Sequence, residues 1–363
     1  MGKIVTFGEV MGRLCPEGTL RFQQAMPGKL DLTFGGAESN VASSISSLGG
    51  DARFVTALPN NVIADSCISL LKGLGVDTNN IVRTDYGRLG LYFLETGANQ
   101  RPSNVIYDRS NSAIAMTKAE CYDWAGIFSD AQWFHVSGIT PAVSKEAAEA
   151  TLAAVKAAKE NDVTVSCDLN FRKKLWKWDS SIAPRELAEK TMREVLPYVD
   201  VVIANEEDAS DVLSIQAEGS DIHAGKLQID RYPDVAKKII SQFNNVSKVA
   251  ITLRESISAT HNNWGAMLFD VASEEAFFAP MKESEYEPYQ IKNIVDRVGG
   301  GDSFAAGLVF ALTTPELSEP ETAIKFAVAS SCLAHSIVGD INYSSRKEVE
   351  TLMGGSGSGR VNR

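Results

Sequence analysis

Apolar and polar positions along this chain alternate between two periods. Lys3 to Val10, KIVTFGEV, is a mostly apolar run that predicts a first strand. In FGGAESNVASSISSLGG, Val41, Ile45 and Leu48 fall at i, i+4 and i+7, one face of a helix ended by Gly49 and Gly50. ARFVTAL then reads as a strand and DSCISLLKGLG as a second helix. Between residues 81 and 108 the period drops to two, in NIVRTD, RLGLYFLETG and SNVIYDR, which predicts a small antiparallel sheet. Residues 11–34 lack helical periodicity, and TLRFQQA and KLDLTF suit short strands.

From residue 118 the pattern is regular. AQWFHVSG, VTVSCDLN, VDVVIAN and VSKVAITLR read as strands, with helical segments between them, the first ending near Asp162. WGAMLFDV and EEAFFAP add strands, and helices starting near Asp302 and Glu321 follow. Strands spaced by helices predict βαβ units and an α/β fold with a mostly parallel central sheet. Ligands of such sheets bind beyond the carboxyl ends of the strands, and Asp168, Asn205 and Arg254 stand at predicted strand ends. KKLWKW reads as the solvated start of an amphipathic helix, residues 218–230 as a surface loop or short helical excursion, and residues 354–363 as a flexible tail.

Charge and composition narrow the partners. The chain has 363 residues, with 35 Lys and Arg against 46 Asp and Glu, a formal charge of −11. That balance argues against non-specific nucleic-acid or anionic-membrane binding, although local arginines can still hold a small anion. The five cysteines stand far apart with no zinc spacing, as expected of reduced thiols in a cytoplasmic protein. No run approaches the length of a membrane span, and no signal peptide is expected.

The chemistry concentrates in Asp296 to Phe304, DRVGGGDSF, ahead of a small-residue helical run. Gly299, Gly300 and Gly301 put backbone N–H groups at a helix mouth, where a phosphate can sit, and Asp302 lies beside that site as a general base must. Gly35, Gly36, Ser39 and Asn40 precede the first helix, either as a tight capped turn or as ligand contacts. Tyr107 and Arg109 share a strand face, and Asn170 and Arg172 follow the strand ending at Asp168. Either arginine can grip a carboxylate through two parallel hydrogen bonds. Asn205 and Asp208 offer oxygens to magnesium or its water, or serve as an acidic helix start. GxxxxGK[ST] and a strand-one GxGxxG are both absent, which disfavours the common NTPase loop and nicotinamide enzymes.

GGAESNVA at residues 35–42 and DRVGGGDSF, in this order, resemble the sugar-side and C-terminal motifs of the ribokinase-like (pfkB) carbohydrate kinases. The usual second form is DTxGAGDxF; here Arg297 and Gly300 stand at the threonine and alanine positions. The resemblance implies Asp302 as base, the three glycines as anion hole, ATP with Mg2+, and Asn205 and Asp208 near magnesium. It also implies a monovalent cation such as K+ beside Asp296 and Val298, and a β-sheet lid that often forms dimers. Segments 14–34 and 85–110 suit that lid within a kinase domain spanning 1–350. Leu89, Leu91 and Phe93 would make its apolar outer face, and Tyr92 and Leu94 the face toward ligand. Tyr107 with Arg109, Asn170 with Arg172, and Arg254 in LRES resemble 2-keto-3-deoxygluconate kinases, with Arg254 on the nucleotide side. 5-Dehydro-2-deoxygluconate kinase and fructokinase remain open within the family, and a non-catalytic sugar binder outside it.

Overall fold

A nine-stranded sheet organises the chain. In the computed structural model, which describes residues 2–205, 207–215 and 229–356, its order is Glu275–Ala279, His261–Asp270, Lys248–Ser258, Val201–Asn205, Thr164–Asp168, Ala131–Ser137, Lys3–Phe7 and Ala52–Val55. Tyr289–Lys292 pairs with His261–Asp270 off this path. The ladder from Lys248–Ser258 through to Ala52–Val55 is parallel, and pairing turns antiparallel beyond Lys248–Ser258. Nearly every residue of the central strands is buried, because helices cover both faces. One core packs Phe134, Val165 and Val202 under helices Lys145–Glu160, Pro184–Val195 and Tyr232–Gln242. The other packs Ile4, Phe54 and Ala250 under helices Ala37–Ser47, Val62–Gly73, Gly300–Leu312 and Pro320–Ala334. No helix among the described residues is long and apolar enough to cross a membrane.

A four-stranded sheet covers one end, in the order Asp31–Gly35, Met11–Cys15, Gly90–Glu95, Asn104–Asp108. Its central pair is parallel and its outer pairs antiparallel, so it is mixed rather than the antiparallel sheet expected. The strand Met11–Cys15, unremarkable in sequence, joins the two halves. Register explains the two faces. Leu32, Leu14, Phe93 and Ile106 are successive partners on the outer side, and Thr33, Arg13, Tyr92 and Tyr107 on the inner side. Tyr92 and Leu94 are buried, while Leu32 and Ile106 are about half exposed at 50% and 51%.

Three local expectations give way to tertiary context. TLRFQQA forms a one-turn helix, Phe22–Ala25, held by an edge contact between Phe22 and Phe93. In NIVRTD only Val82–Thr84 is a strand, and it pairs with Ala57–Pro59 outside the small sheet. KKLWKW is not helical: Trp176 is fully buried with φ of +43°, a left-handed backbone that stops a helix. The loop read at 218–230 and the tail fall largely outside the described residues.

Candidate active site

Several strand ends and two helix starts meet around a cavity of about 470 Å³ beneath the small sheet. Among its lining are Gly36, Asn40, Tyr107, Asn170, Arg172, Asn205, Asp208, Arg254, Gly299, Gly301 and Asp302, all singled out from sequence. Asp168, at the carboxyl end of its strand, also lines it. Arg254 is not at a strand end: the parallel ladder stops at Thr252, and the strand runs on in antiparallel pairing with Trp264 opposite Arg254.

The glycine turn has a specific geometry. Gly299 has φ of +82°, and a Cβ there would stand 2.0 Å from the Asp340 carbonyl oxygen, so glycine is required twice over. Helix Gly300–Leu312 begins next, which leaves the N–H groups of Gly301 and Asp302 without intrahelical acceptors. A Cβ on Gly301 would meet open space, as expected at a cavity wall. Gly300 departs from its expected place in the anion hole. Its N–H turns back to the Arg297 carbonyl at 3.3 Å, its carbonyl accepts from Ser331 at 2.6 Å, and it packs on the His335 ring away from the cavity lining.

Asp302 is held from across the chain. Asn40 Nδ2 donates to its Oδ2 at 2.7 Å, while Asn40 Oδ1 accepts the Gly36 N–H at 3.2 Å. Asn40 thus orients the Asp302 carboxylate while also lining the cavity. Burial lifts the Asp302 carboxyl to about 7; Asp340 and Glu38 add to the rise, while the Asn40 hydrogen bond and Arg172 work against it. Glu38 had no sequence signal of its own: it is buried and accepts from the Ser137 N–H, the Ser137 hydroxyl and the Thr140 hydroxyl at 3.0, 2.7 and 2.9 Å.

Three other expected ligand contacts are structural. Ser39 donates its hydroxyl to the Gly36 carbonyl at 2.9 Å, the capping alternative. Gly35 allows close approach of Asp340, whose Oδ2 would lie 2.1 Å from a Cβ there. Arg109 does not line the cavity. It is 8% exposed and paired with Glu9, with Nε to Oε2 at 2.7 Å, one residue past the strand Asn104–Asp108. Arg172 behaves otherwise: it is exposed, donates one hydrogen bond to the Phe171 carbonyl at 3.0 Å, and has no ion pair among the described residues.

Two more guanidiniums face the cavity. Arg254 has no ion pair among the described residues, and Arg297 is anchored on the Ser258 carbonyl at 2.8 Å and on the Asn262 side chain. Burial, and then the charge of Arg254, hold the Arg297 pKa below its usual value. Like charges so placed suit a polyanion such as a nucleotide phosphate tail. Asp208 and Asn205 fit magnesium only at one remove. Asp208 accepts from the N–H groups of Phe171 and Asn205 at 3.0 and 3.2 Å, and Asn205 Oδ1 from those of Glu207 and Asp208 at 2.8 and 2.9 Å. With these oxygens engaged, contact through metal-bound water is the fitting mode, since Mg2+ keeps several waters beside nucleotide phosphates. The described residues contain no cluster of three or more His, Cys, Asp or Glu able to hold a metal alone.

The profile of the pfkB family carbohydrate kinases matches residues 1–347. The chain belongs to that family. It is accordingly a carbohydrate kinase, an ATP-binding phosphotransferase. The crystal structure of 2-dehydro-3-deoxygluconokinase from Thermotoga maritima is similar at TM-score 0.87 and 44% identity, over 98% of this chain and 100% of that one. A pfkB family carbohydrate kinase from Listeria grayi is similar at TM-score 0.83 and 32% identity, over 97% and 99% of the two chains. The 2-dehydro-3-deoxygalactonokinase of Haloferax volcanii is 30% identical over 358 residues, 98% of each chain.

Three outcomes follow for a pfkB kinase in which Asp302 acts as the base. Asp302→Asn should lower kcat by at least ~100-fold with the fold intact, read by steady-state assay and circular dichroism. The base works ionised, so kcat/KM should fall as pH drops through about 7. Asn40→Ala removes a contact that lowers this pKa, so its acidic limb should move to higher pH.

Proposed function

We propose that this kinase phosphorylates the terminal (6-) hydroxyl of 2-keto-3-deoxygluconate, giving 2-keto-3-deoxy-6-phosphogluconate. The observation that carries the reading is Arg172. Its guanidinium stands exposed at the cavity with most of its donors uncommitted, while Arg109, the other expected partner, is taken by Glu9. A planar five-donor group suits a sugar carboxylate, and a neutral hexose such as fructose has none to offer. The Thermotoga and Haloferax relatives, both named as kinases of 2-dehydro-3-deoxy acids, support the same class.

In this reading the substrate hydroxyl oxygen attacks the γ-phosphorus of ATP. The bond from that phosphorus to the β,γ-bridging oxygen breaks, ADP leaves, and the hydroxyl proton passes to Asp302. Asn40 keeps the accepting carboxylate aimed at the cavity. The free N–H groups of Gly301 and Asp302 lie where charge gathers on the transferred oxygens, and Arg254 and Arg297 meet the remaining phosphates. Asn205 and Asp208 would hold magnesium through its bound water, and the ion would supply further charge neutralisation. Tyr92, Leu94, Val105 and Tyr107 of the small sheet close over the sugar and exclude water.

A screen of the purified enzyme with ATP against sugar acids and neutral sugars tests the substrate class. It should include both 2-keto-3-deoxy acids epimeric at C4, and 5-dehydro-2-deoxygluconate. Higher kcat/KM for fructose or ribose would overturn the assignment. Arg172→Leu should cost the acid about 2–4 kcal/mol of capture and leave neutral sugars little changed. An equal loss on both would place Arg172 on the phosphoryl group instead.

The outer row Leu32, Leu14, Phe93 and Ile106 supports a homodimer through the small sheets, since an apolar sheet face is covered most simply by a second copy. Light scattering at micromolar concentration should give twice the 39.2 kDa chain mass, and Ile106→Lys should lower it toward one chain.

A further inference from the structure

Arg13 sits on the inner face of the small sheet, in register with Tyr92, and is only 3% exposed. Its two terminal nitrogens grip Asp296 and Asp340. The Tyr92 hydroxyl donates to the other oxygen of Asp340. Asp296 Oδ1 accepts the Val298 N–H at 3.1 Å, and Asp296 Oδ2 accepts the Gly339 N–H at 3.2 Å beside the guanidinium. Asp296 thereby anchors the start of the glycine turn, and Asp340 packs its backbone against Gly299.

The family resemblance implies a monovalent cation beside Asp296 and Val298. The residues present do not fit one. Both oxygens of Asp296 already accept hydrogen bonds, and the positive charge the carboxylates need is carried by a side chain. Burial opposes the charge on Arg13, but Asp340 and Asp296 more than offset it and raise its pKa, and a guanidinium does not deprotonate in proteins. A planar fork bridging two carboxylates also fixes their spacing, as a bound ion would.

We propose that Arg13 is a tethered cation: its guanidinium does at Asp296 and Asp340 the work of a bound potassium ion, so this kinase needs no potassium. Arg13 is then a positioning residue, acting on the anion site through Asp296 and the turn. A cation built into the chain cannot be diluted away, so activity is independent of the potassium level around the enzyme. The small sheet supplies this charge, which also ties the covering sheet to the turn beneath it.

The test uses the full chain at constant ionic strength, with tetramethylammonium chloride replaced stepwise by potassium, sodium or guanidinium chloride at millimolar levels. Wild-type kcat/KM should change by less than about 2-fold across the series. Arg13→Ala should lose at least ~10-fold in tetramethylammonium and recover in part with potassium or guanidinium, while Arg13→Lys keeps most activity without either. Thermal melts without substrate give a second readout that does not depend on the proposed sugar acid. The Arg13→Ala midpoint should rise with potassium or guanidinium beyond any wild-type change. Activation of the wild type by potassium of more than about 5-fold would overturn the proposal, and that result stands even if Arg13→Ala does not fold. So would an Arg13→Ala protein that folds but responds to no cation in either activity or melting.

Discussion

The hydrogen bond from Asn40 to Asp302 joins parts of the chain 262 residues apart, and the site is built around it. Each partner sits in the first turn of a helix, Ala37–Ser47 and Gly300–Leu312, and these helices pack on each other. A glycine precedes each helix and lets its start lie against neighbouring backbone. At Gly36 a Cβ would stand 2.0 Å from the Glu9 carbonyl oxygen, and at Gly299 one would stand 2.0 Å from that of Asp340. The result is a carboxylate beside unpaired helix N–H groups, with a neutral amide fixing its direction. A base and an anion site within one turn of helix are what phosphoryl transfer to a hydroxyl requires.

The acidic chain manages its charges locally. Asp168 and Asp208 are buried at the cavity, and burial raises both carboxyls above their usual range; Asp208 and Asp302 add to the rise at Asp168, and Asp211 adds to it at Asp208. Arg172 offsets part of this at all three. Arg254 and Arg297 also line the cavity and have no ion pair among the described residues. The cavity therefore brings buried carboxylates together with guanidiniums that they do not pair with. A net charge of −11 describes the outer field of the molecule and says little about this interior arrangement.

The small sheet has two faces with different tasks. Strand alternation sends Tyr92 and Tyr107 inward and Phe93 and Ile106 outward from adjacent positions of the same two strands. Its inner face also carries Arg13 to Asp296, so cover and floor are connected by a buried ion pair network rather than by apolar packing alone. Breaking one partner of such a network leaves an uncompensated charge, which couples the placement of the sheet to the shape of the glycine turn.

Much was legible without coordinates. The parallel sheet follows from continuous apolar runs such as VVIA and VTVSC between helical segments, since only strands covered on both faces are apolar throughout. The glycine turn and Asp302 were legible because close backbone approach and a helix mouth leave a local mark. Alternation in RLGLYFL placed Tyr92 and Leu94 inward. What the sequence could not carry were partners decided across long separations. Arg109 and Arg172 look alike as strand-end arginines, yet Glu9 neutralises the first and leaves the second available. Arg13, Glu38 and Asp340 gain their roles only when distant segments bury them together, and the left-handed Trp176 is set by the core that receives its ring. Sequence alone determined the sheet pattern and the glycine turn and singled out Asp302 as candidate base, because each depends on neighbours within a few residues. Tertiary structure decided which charges are spent on one another and which remain for a ligand, because a Coulomb partner is chosen by distance in space, and burial sets how much that choice is worth.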